Sequence, residues 1–316
     1  MKNLKIQSVQ FNYLQKSFTE WLDILGYAAP TVNSLPIHIR ELLHYLEQQG
    51  CSQITQLTNK QVNNFLKYLL TRPNLTKGGG GLSSSTINKT VQSINTFIRY
   101  LNTTGKYELD INTKRIENNI AERSILTQEE IKELYEITYE TRRAAGVQYG
   151  QRDRAMLTLY YGCGLRRNEA INLNINDINK ERSILHVKNG KGNKERLVPI
   201  TPTNMDYLMT YLEEGRYWFL ENHAQRTYYK KPRHKDNADN EAFLLGKSGK
   251  RIKDGLYGRL QTLKERAKIT KPVGLHTLRH TIATHLLTAG MDIEEIAKFL
   301  GHATLESTQI YTHLTM

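Results

Sequence analysis

One stretch near the C-terminal end decides how the rest of the sequence is interpreted: His276-Thr277-Leu278-Arg279-His280-Thr281-Ile282-Ala283-Thr284-His285. It opens a segment, Thr277–Ala289, whose apolar and polar residues have a spacing that predicts a helix. His276 and Arg279 are three residues apart, so on a helix both side chains face the same direction. An imidazole and a guanidinium on one face make a phosphate-binding pair. The stretch therefore predicts a helix that presents an anion site.

The same stretch contains two further histidines, His280 and His285, which raise the question of a zinc site. The pattern His-Glu-x-x-His is absent, and the two cysteines, Cys51 and Cys163, are distant in sequence. We therefore expect no metal and no cofactor, and we expect His280 and His285 to be structural. Cysteines so far apart also form no disulfide-rich pattern, which favours a reducing cytoplasm.

A second cluster, Gly164-Leu165-Arg166-Arg167-Asn168-Glu169, lies upstream between two predicted helices. Its glycine turn places Arg166 where the next helix, Arg167–Asn172, begins. A guanidinium at a helix entry can join the main-chain N–H groups in holding an anion. The alternative is an ordinary turn between helices with solvated arginines, and the cluster by itself favours that alternative.

A third cluster is a lysine-rich turn, Lys188-Asn189-Gly190-Lys191-Gly192-Asn193-Lys194. It lies between two short predicted strands, Ser183–Val187 and Glu195–Ile200, and its glycines are typical of a hairpin turn. Such a tip can enter a DNA groove and deliver an ammonium group to a phosphate or to a leaving oxygen. Most turns of this composition are only solvated, and the three lysines compete for any role.

The fourth cluster lies at the C-terminal end and consists of Phe299-Leu300-Gly301-His302-Ala303, followed by Tyr311 nine residues after His302. A tyrosine near a chain end is usually a packing or surface residue. A phenol also has a high pKa and is a poor nucleophile without help. The arginines of the other clusters could supply that help, because guanidinium groups stabilise both a phenolate and the phosphate that it attacks.

Two helical regions are joined by a polar segment. Over 1–110, apolar residues recur at helical spacing between glycine and proline breaks, which predicts a helical domain. The periodicity fades over 111–125, which we interpret as a linker. The second domain, 126–316, opens with a capping box, Thr127-Gln128-Glu129-Glu130. Its further helices and two strands predict a mainly α fold with a small β-sheet, that is, an α+β domain.

Composition limits the partners of the chain. Its 316 residues exceed the usual size of one domain, and its net charge of +13 points to an acidic polymer as a partner. Nucleic acid fits this charge better than a membrane, because the sequence has no apolar run long enough to span a bilayer and no secretory signal after Met1. The alternative is a basic protein without such a partner, because net charge alone does not distinguish these two possibilities.

Taken together and in this order, the four clusters resemble the tyrosine recombinase, or phage integrase, family, especially its Xer-type enzymes. The residues that carry the resemblance are Gly164-Leu165-Arg166, Gly190-Lys191-Gly192-Asn193-Lys194-Glu195-Arg196, the stretch from His276 to His285, Leu300-Gly301-His302 and Tyr311-Thr312-His313. The likeness extends from Ile125 to the end of the chain. The region 1–110 is similar to the core-binding domain of that family. A chance match of all four clusters at these separations is hard to credit.

The resemblance implies a site-specific recombinase that cuts and rejoins DNA without metal or ATP. Tyr311 would attack the scissile phosphate and hold a 3′-phosphotyrosyl link. Arg166 and Arg279 would clamp the non-bridging oxygens. Lys191 would protonate the leaving 5′-oxygen. The remaining roles are proton transfer or phosphate binding by His276, a phosphate hydrogen bond from His302, and orientation of a site residue by Glu169.

The resemblance also implies a two-domain, C-shaped clamp around double-stranded DNA. Further phosphate contacts are expected from Lys188, Lys194 and Arg167. A basic stretch with interleaved tyrosines, 226–235, offers Lys230, Lys231 and Arg233 as further backbone contacts. For that stretch, a surface loop without a binding role is an equal alternative.

The expected assembly is a homotetramer on two DNA sites, formed from monomers or weak dimers, with accessory DNA-bending proteins as further partners. Only five residues follow Tyr311, so other surfaces would hold the tetramer, or it would be weak. Integration, excision, inversion and resolution all stay open, as does a mobile element or an invertible segment as the substrate. The alternatives are a type IB topoisomerase-like monomer and a catalytically silent DNA-binding regulator. DNA as the substrate implies a cytoplasmic, nucleoid-associated location.

Overall fold

The computed structural model of the chain describes residues 4–74, 79–105, 107–117, 124–140, 146–188, 195–221 and 241–301. The chain divides into two units, Met1–Ala121 and Glu122–Met316. The predicted linker, 111–125, spans this boundary. Each unit encloses its own cluster of buried apolar side chains, so each is held together by a separate core.

Helices build the N-terminal unit: α1 (Val9–Ile24), α2 (Ala29–Gln48), α3 (Asn59–Thr71) and α4 (Ser84–Thr103). Hydroxyl side chains cap three of them, because Ser8, Thr58 and Ser83 each accept a hydrogen bond from a main-chain N–H of the first turn. The helical character predicted for this region is confirmed.

The core of this unit contains side chains from all four helices. Phe18 of α1 meets Phe97 of α4 edge to face, with ring centroids 5.2 Å apart. Leu42 of α2 and Phe65 of α3 are fully buried. Burial of one side chain of this size stabilises a fold by about 1.5–3 kcal/mol. The helical spacing of these residues along the sequence therefore corresponds to faces that pack on one another.

The C-terminal unit is mainly helical. Its labelled helices are α5 (Gln128–Glu136), α6 (Gly146–Leu157), α7 (Arg167–Asn172), α8 (Pro202–Thr210), α9 (Leu256–Arg266), α10 (Leu275–Thr288) and α11 (Ile293–Leu300). The predicted capping box of α5 is confirmed, because Thr127 and Glu130 each accept a hydrogen bond from the main-chain N–H of the other. Within the described ranges, no helix of either unit is long and apolar enough to cross a membrane.

A small antiparallel sheet completes this unit. Its strands β1 (Ile178–Asn179), β2 (Ile184–Val187) and β3 (Arg196–Pro199) lie in the order β1-β2-β3. Along β2 and β3, Ile184 lies opposite Pro199, and Val187 lies opposite Arg196. The prediction of a mainly helical fold with a small sheet is confirmed. Strand β1 is not evident from the sequence, because two residues are too few to show an alternating pattern.

The end of α5 and the start of α6 differ from the sequence prediction. Apolar spacing predicts helices over 131–143 and from Arg152, whereas α5 ends at Glu136 and α6 begins at Gly146. Just past the end of α5, the hydroxyl of Thr138 donates to the carbonyl of Tyr135 at 2.6 Å and accepts from Nη1 of Arg154 at 3.0 Å. A tertiary hydrogen bond thus stabilises the chain just beyond this boundary, and local spacing does not reveal such a contact.

We expect Gly150→Ala to destabilise the C-terminal unit. An ideal Cβ at Gly150 would lie 2.2 Å from the carbonyl oxygen of Thr138, so the substitution forces α6 away from the end of α5. Overpacking of this kind costs about 1–3 kcal/mol. Urea denaturation followed by circular dichroism measures the loss.

Gly258→Ala in α9 is the matched control, since nothing lies within 4 Å of its Cβ position. It should leave the free energy of unfolding unchanged or raise it by about 0.4–1 kcal/mol. A Gly150→Ala protein as stable as this control would contradict the close packing of α6 against Thr138.

Candidate active site

A tight glycine turn holds Arg166 at the entry of α7. Gly164 has a φ of +59°, a left-handed conformation that other L residues rarely adopt. An ideal Cβ there would lie 2.8 Å from Cδ2 of Leu300 and 3.0 Å from Cε1 of Phe299. The glycine therefore allows the start of α7 to lie directly against the end of α11.

The carboxylate of Glu169 lies at the centre of the site, with 2% of its side chain exposed. Arg166 donates to it twice, from Nη1 to Oε1 at 2.8 Å and from the main-chain N–H to Oε2 at 2.8 Å. Arg196 donates from Nη1 to Oε1 at 3.1 Å and from Nη2 to Oε2 at 2.9 Å. Nη1 of Arg279 lies 3.9 Å from Oε2. One carboxylate thus lies against three guanidinium groups.

These arginines determine the charge state of Glu169. Burial alone would raise the pKa of the carboxyl group, but the hydrogen bonds from Arg196 and Arg166 outweigh it and lower the pKa from 4.5 to about 2. The group is therefore ionised near neutral pH. Three cations against one carboxylate leave two positive charges in surplus. A surplus of this sign favours an anionic ligand.

The same three arginines bind the C-terminal end of α11. The pairs are Nε of Arg196 with the carbonyl oxygen of Phe299 (3.0 Å), Nη2 of Arg279 with that of Leu300 (2.6 Å), and Nη2 of Arg166 with that of Gly301 (2.8 Å). The last carbonyls of a helix have no partner within the helix, and cations are favourable at this end of its dipole. The arginines therefore fix the main chain immediately before His302.

His276 lies in the first turn of α10, three residues before Arg279. Partial loss of hydration and the positive charges of Arg279, Arg166 and Arg167 lower the pKa of His276 from its ordinary value of 6.5. The imidazole is therefore neutral near pH 7 and able to accept a proton. Because the arginine charges reach it, His276 belongs to the same electrostatic environment as Arg166 and Arg279.

Two predicted DNA contacts are ion-paired within the protein. Nζ of Lys188 lies 2.5 Å from Oδ1 of the buried Asp177, and Nη2 of Arg167 lies 2.8 Å from Oδ1 of the exposed Asp254. The pair with Asp177 raises the pKa of Lys188. Lys188 and Arg167 stay predictions as contacts to DNA. The other predicted site residues lie outside the described residues: Lys191, Lys194, Lys230, Lys231, Arg233, His302 and Tyr311.

His285 has a structural role, as predicted. Its Nδ1 lies 2.9 Å from the hydroxyl oxygen of Tyr161, and its Nε2 lies 2.9 Å from the carbonyl oxygen of Leu126. Both ring nitrogens are therefore occupied by protein groups, which tie α10 to the π-helical turn Thr158–Gly162 after α6 and to the start of the unit. The histidine is a bridge between elements and not a free ligand.

Arg196 is the participant that sequence reasoning missed. It stands within the motif quoted above, yet motif and spacing give it no role. The available signal was local: Arg196 is the second residue of a predicted strand, Glu195–Ile200, next to a turn. In the structure it opens β3, and 9% of its side chain is exposed. A long charged side chain buried in a short strand requires a partner, but its partner Glu169 is 27 residues away in sequence.

Comparison with known proteins agrees with this geometry. A family model described as the phage integrase family matches residues 124–316. Tyrosine recombinase XerC of Oceanobacillus iheyensis is 34% identical over 305 residues, which cover 95% of this chain and 90% of the relative. Tyrosine recombinase XerA of Thermococcus kodakarensis is 31% identical over 312 residues, which cover 96% of this chain and 92% of the relative. The likeness thus covers both units.

Solved structures resemble the chain in fold. The XerH site-specific recombinase bound to a palindromic difH substrate, a post-cleavage complex, has a TM-score of 0.69 at 21% identity and covers 96% of this chain and 81% of its own. A lambda integrase dimer bound to a COC′ core site has a TM-score of 0.66 at 14% identity, with 95% and 94% covered. The Tn1549 transposon integrase with circular intermediate DNA has a TM-score of 0.64 at 17% identity, with 94% of each chain covered.

We expect Glu169→Gln to lower the free energy of unfolding near neutral pH by about 3 kcal/mol, because it leaves buried cations without their carboxylate. The loss should shrink in acid. Stability from the ionised Glu169 is fully present above pH 4.5 and is lost as the pH falls towards the folded pKa of about 2. Urea titrations of both proteins between about pH 7 and pH 3 measure this difference.

Glu213→Gln is the matched control, since Glu213 pairs with Lys180 at the surface, where 62% of its side chain is exposed. An exposed pair of this kind contributes about 0–1 kcal/mol. If Glu169→Gln lost no more stability than Glu213→Gln, or lost the same amount at every pH, the described charge state would be wrong.

Proposed function

The chain belongs to the phage integrase family, and we propose that it breaks and rejoins DNA through a covalent bond between Tyr311 and a scissile phosphate. It is a tyrosine site-specific recombinase. One observation carries the proposed mechanism furthest: Arg166 and Arg279 lie against one buried carboxylate, Glu169, and against the end of one helix. Two guanidinium groups held in this way form a preorganised anion site, which a phosphodiester under attack requires.

Cleavage exchanges one phosphoester bond for another. The phenolic oxygen of Tyr311 bonds to phosphorus while the bond from phosphorus to the 5′-oxygen breaks, leaving a 3′-phosphotyrosyl link and a 5′-hydroxyl. Lys191 gives a proton to the leaving oxygen, and His276 accepts the tyrosine proton or hydrogen-bonds the phosphate. Rejoining reverses these steps with the 5′-hydroxyl of a partner strand. Because the link keeps the phosphoester bond energy, no ATP is consumed.

Arg166 and Arg279 act through their charge. Negative charge grows on the non-bridging oxygens during the attack, so guanidinium groups stabilise the transition state more than the ground state. Glu169 and the carbonyl groups at the end of α11 hold the two arginines in place, which reduces the reorientation that the reaction would otherwise require. His302, which follows Gly301 in the sequence, completes the phosphate contacts with a hydrogen bond.

Electrostatic attraction supplies much of the proposed affinity for double-stranded DNA, in keeping with the net charge of +13. The proposed phosphate contacts are Lys188, Lys194, Arg167, Lys230, Lys231 and Arg233. Lys188 and Arg167 are paired with Asp177 and Asp254, so a DNA phosphate would replace a carboxylate in each pair. Affinity should therefore fall steeply as the salt concentration rises.

Exchange of strands requires two duplexes, so we expect a homotetramer on two DNA sites, formed from monomers or weak dimers. The helical domain 1–110 and the catalytic domain 126–316, joined by the linker 111–125, would clamp each site. Integration, excision, inversion or resolution of a mobile element or invertible segment would follow from the placement of the sites, with accessory DNA-bending proteins as partners. DNA as the substrate implies a cytoplasmic location, associated with the nucleoid when the protein is bound to DNA.

The proposal predicts a covalent adduct between the protein and DNA. Nicked duplexes taken from DNA that flanks the gene of this protein serve as substrates, because loss of a short fragment after cleavage prevents rejoining. We expect an adduct on a denaturing gel that persists in EDTA and is absent from Tyr311→Phe. Phenylalanine lacks only the attacking oxygen, so the loss should be complete within detection.

Tyr217→Phe is the matched control, since Tyr217 is an exposed tyrosine of the same unit, and it should form as much adduct as the parent. An adduct that persists in Tyr311→Phe would contradict the assigned nucleophile. Specific binding without any adduct would favour the silent regulator. On intact duplexes, where rejoining is possible, cleavage that only reseals its own strand and never joins a second duplex would favour the topoisomerase-like monomer.

The lowered pKa of His276 should set the acid limit of cleavage. Because the pKa of His276 is lowered from 6.5, we expect the rate of adduct formation to stay constant down to the ordinary pKa of histidine and to fall only at more acid pH, since a protonated imidazole accepts no proton. His276→Gln should slow the reaction by about 10²-fold and remove this acid limb. Arg279→Lys should slow the reaction more and keep the limb. If the cleavage rate of His276→Gln still fell at acid pH, the fall would have to come from another titratable group, and the prediction for His276 would be wrong.

A further inference from the structure

The guanidinium group of Arg196 is fully engaged within the protein. Two nitrogens donate to the carboxylate oxygens of Glu169 at 3.1 and 2.9 Å, and Nε donates to the carbonyl oxygen of Phe299 at 3.0 Å. Only 9% of the side chain is exposed. All three nitrogens of this guanidinium group thus already donate to protein oxygens.

These hydrogen bonds join three separate elements. Arg196 is the first residue of β3, Glu169 belongs to α7, and Phe299 lies in the last turn of α11. Gly301 follows the end of α11, and an ideal Cβ there would lie 2.8 Å from Cδ and 2.9 Å from Nη1 of Arg196. The side chain of Arg196 therefore packs directly on the main chain that precedes His302.

The position of Arg196 in the sheet adds a fourth connection. It pairs with Val187 in the last register position before the lysine-rich turn, which begins at Lys188. The contacts that fix Arg196 therefore also fix the base of that turn. Arg196 thus connects the stem of the turn to the carboxylate of Glu169, which Arg166 and Arg279 also contact, and to the end of α11.

We infer that Arg196 is a positioning residue for strand cleavage, which acts by holding Glu169 and the end of α11 and does not contact the scissile phosphate. This inference rests on the proposed function. A lysine cannot take the place of Arg196, because one ammonium group cannot donate in parallel to both carboxylate oxygens and also reach the carbonyl of Phe299. The geometry of the guanidinium, and not its charge alone, is what the site requires.

The test compares Arg196→Lys with the parent and with Arg266→Lys, a matched control. Arg266 also donates to a main-chain carbonyl, that of Ile137 at 2.8 Å, and pairs with a carboxylate, Glu140 at 3.3 Å, but at the end of α9. Single-turnover adduct formation on the nicked duplexes gives the cleavage rate, and titration of the same DNA gives Kd. We expect Arg196→Lys to cleave about 100-fold more slowly with an unchanged Kd, because misplacement of about 1 Å has effects of this size. Arg266→Lys should cleave at the parent rate.

Hydrogen exchange without DNA provides a second readout. The main-chain N–H of Gly301 donates to the carbonyl of Lys298 at 3.1 Å, so its exchange reports on the end of α11. We expect this amide to exchange faster in Arg196→Lys and at the parent rate in Arg266→Lys. Exchange of the amides in α2, in the other unit, should be equal in all three proteins.

Three results would overturn the inference. Cleavage and exchange at parent rates in Arg196→Lys would show that Arg196 holds nothing the reaction needs. A Kd that rises as much as the cleavage rate falls would make Arg196 a direct DNA contact. Equal losses of cleavage in Arg196→Lys and Arg266→Lys would indicate only a general loss of stability. If the parent protein formed no adduct, the proposed function would fail, and the positioning role that rests on it would fail as well. If the parent formed an adduct and Arg196→Lys reacted at the parent rate, only the positioning role would be wrong.

Discussion

The ionised carboxylate of Glu169 allows three arginines to lie together. Guanidinium groups packed around one carboxylate repel one another, and this repulsion is stronger where water is excluded. Glu169 receives five hydrogen bonds or ion pairs from Arg166, Arg196 and Arg279, and its low pKa follows from them. The remaining surplus of positive charge is what the site offers to a phosphate. The site that would bind a phosphate therefore depends on the buried carboxylate of Glu169, which holds the arginines together and would not itself contact DNA.

The end of α11 depends on the same arginines. The carbonyl groups of Phe299 and Leu300, which end α11, and that of the following Gly301 each accept a hydrogen bond from a different arginine of the cluster. Arg166 and Arg279 thus have two roles: they would bind the proposed phosphate, and they hydrogen-bond the main chain that leads to His302. A displaced arginine would therefore disturb both the charge at phosphorus and the path of the chain towards Tyr311. This coupling also explains why Gly164 and Gly301 must be small, since both lie within the contact.

Local signals in the sequence predicted much of this arrangement. Thr127 and Glu130 cap α5 because a capping box acts within one turn. The family resemblance implies that Glu169 orients a site residue, and it does contact Arg166, the N-cap residue of α7 three positions earlier. Long-range contacts were beyond such signals. Arg196 reaches Glu169 across 27 residues, and Arg154 donates to Thr138, just past the end of α5, across 16 residues. No periodicity encodes either distance, so the role of Arg196 and the boundary of α5 required the folded structure.

The central claim is that this arginine cluster serves an attack by Tyr311, and the most direct measurement is the location of the bond to DNA. The trapped adduct would be digested with nuclease and protease, and the modified peptide sequenced by mass spectrometry. The account predicts a nucleotide attached through its 3′-phosphate to Tyr311. A nucleotide attached to any other residue, or through a 5′-phosphate, would contradict it.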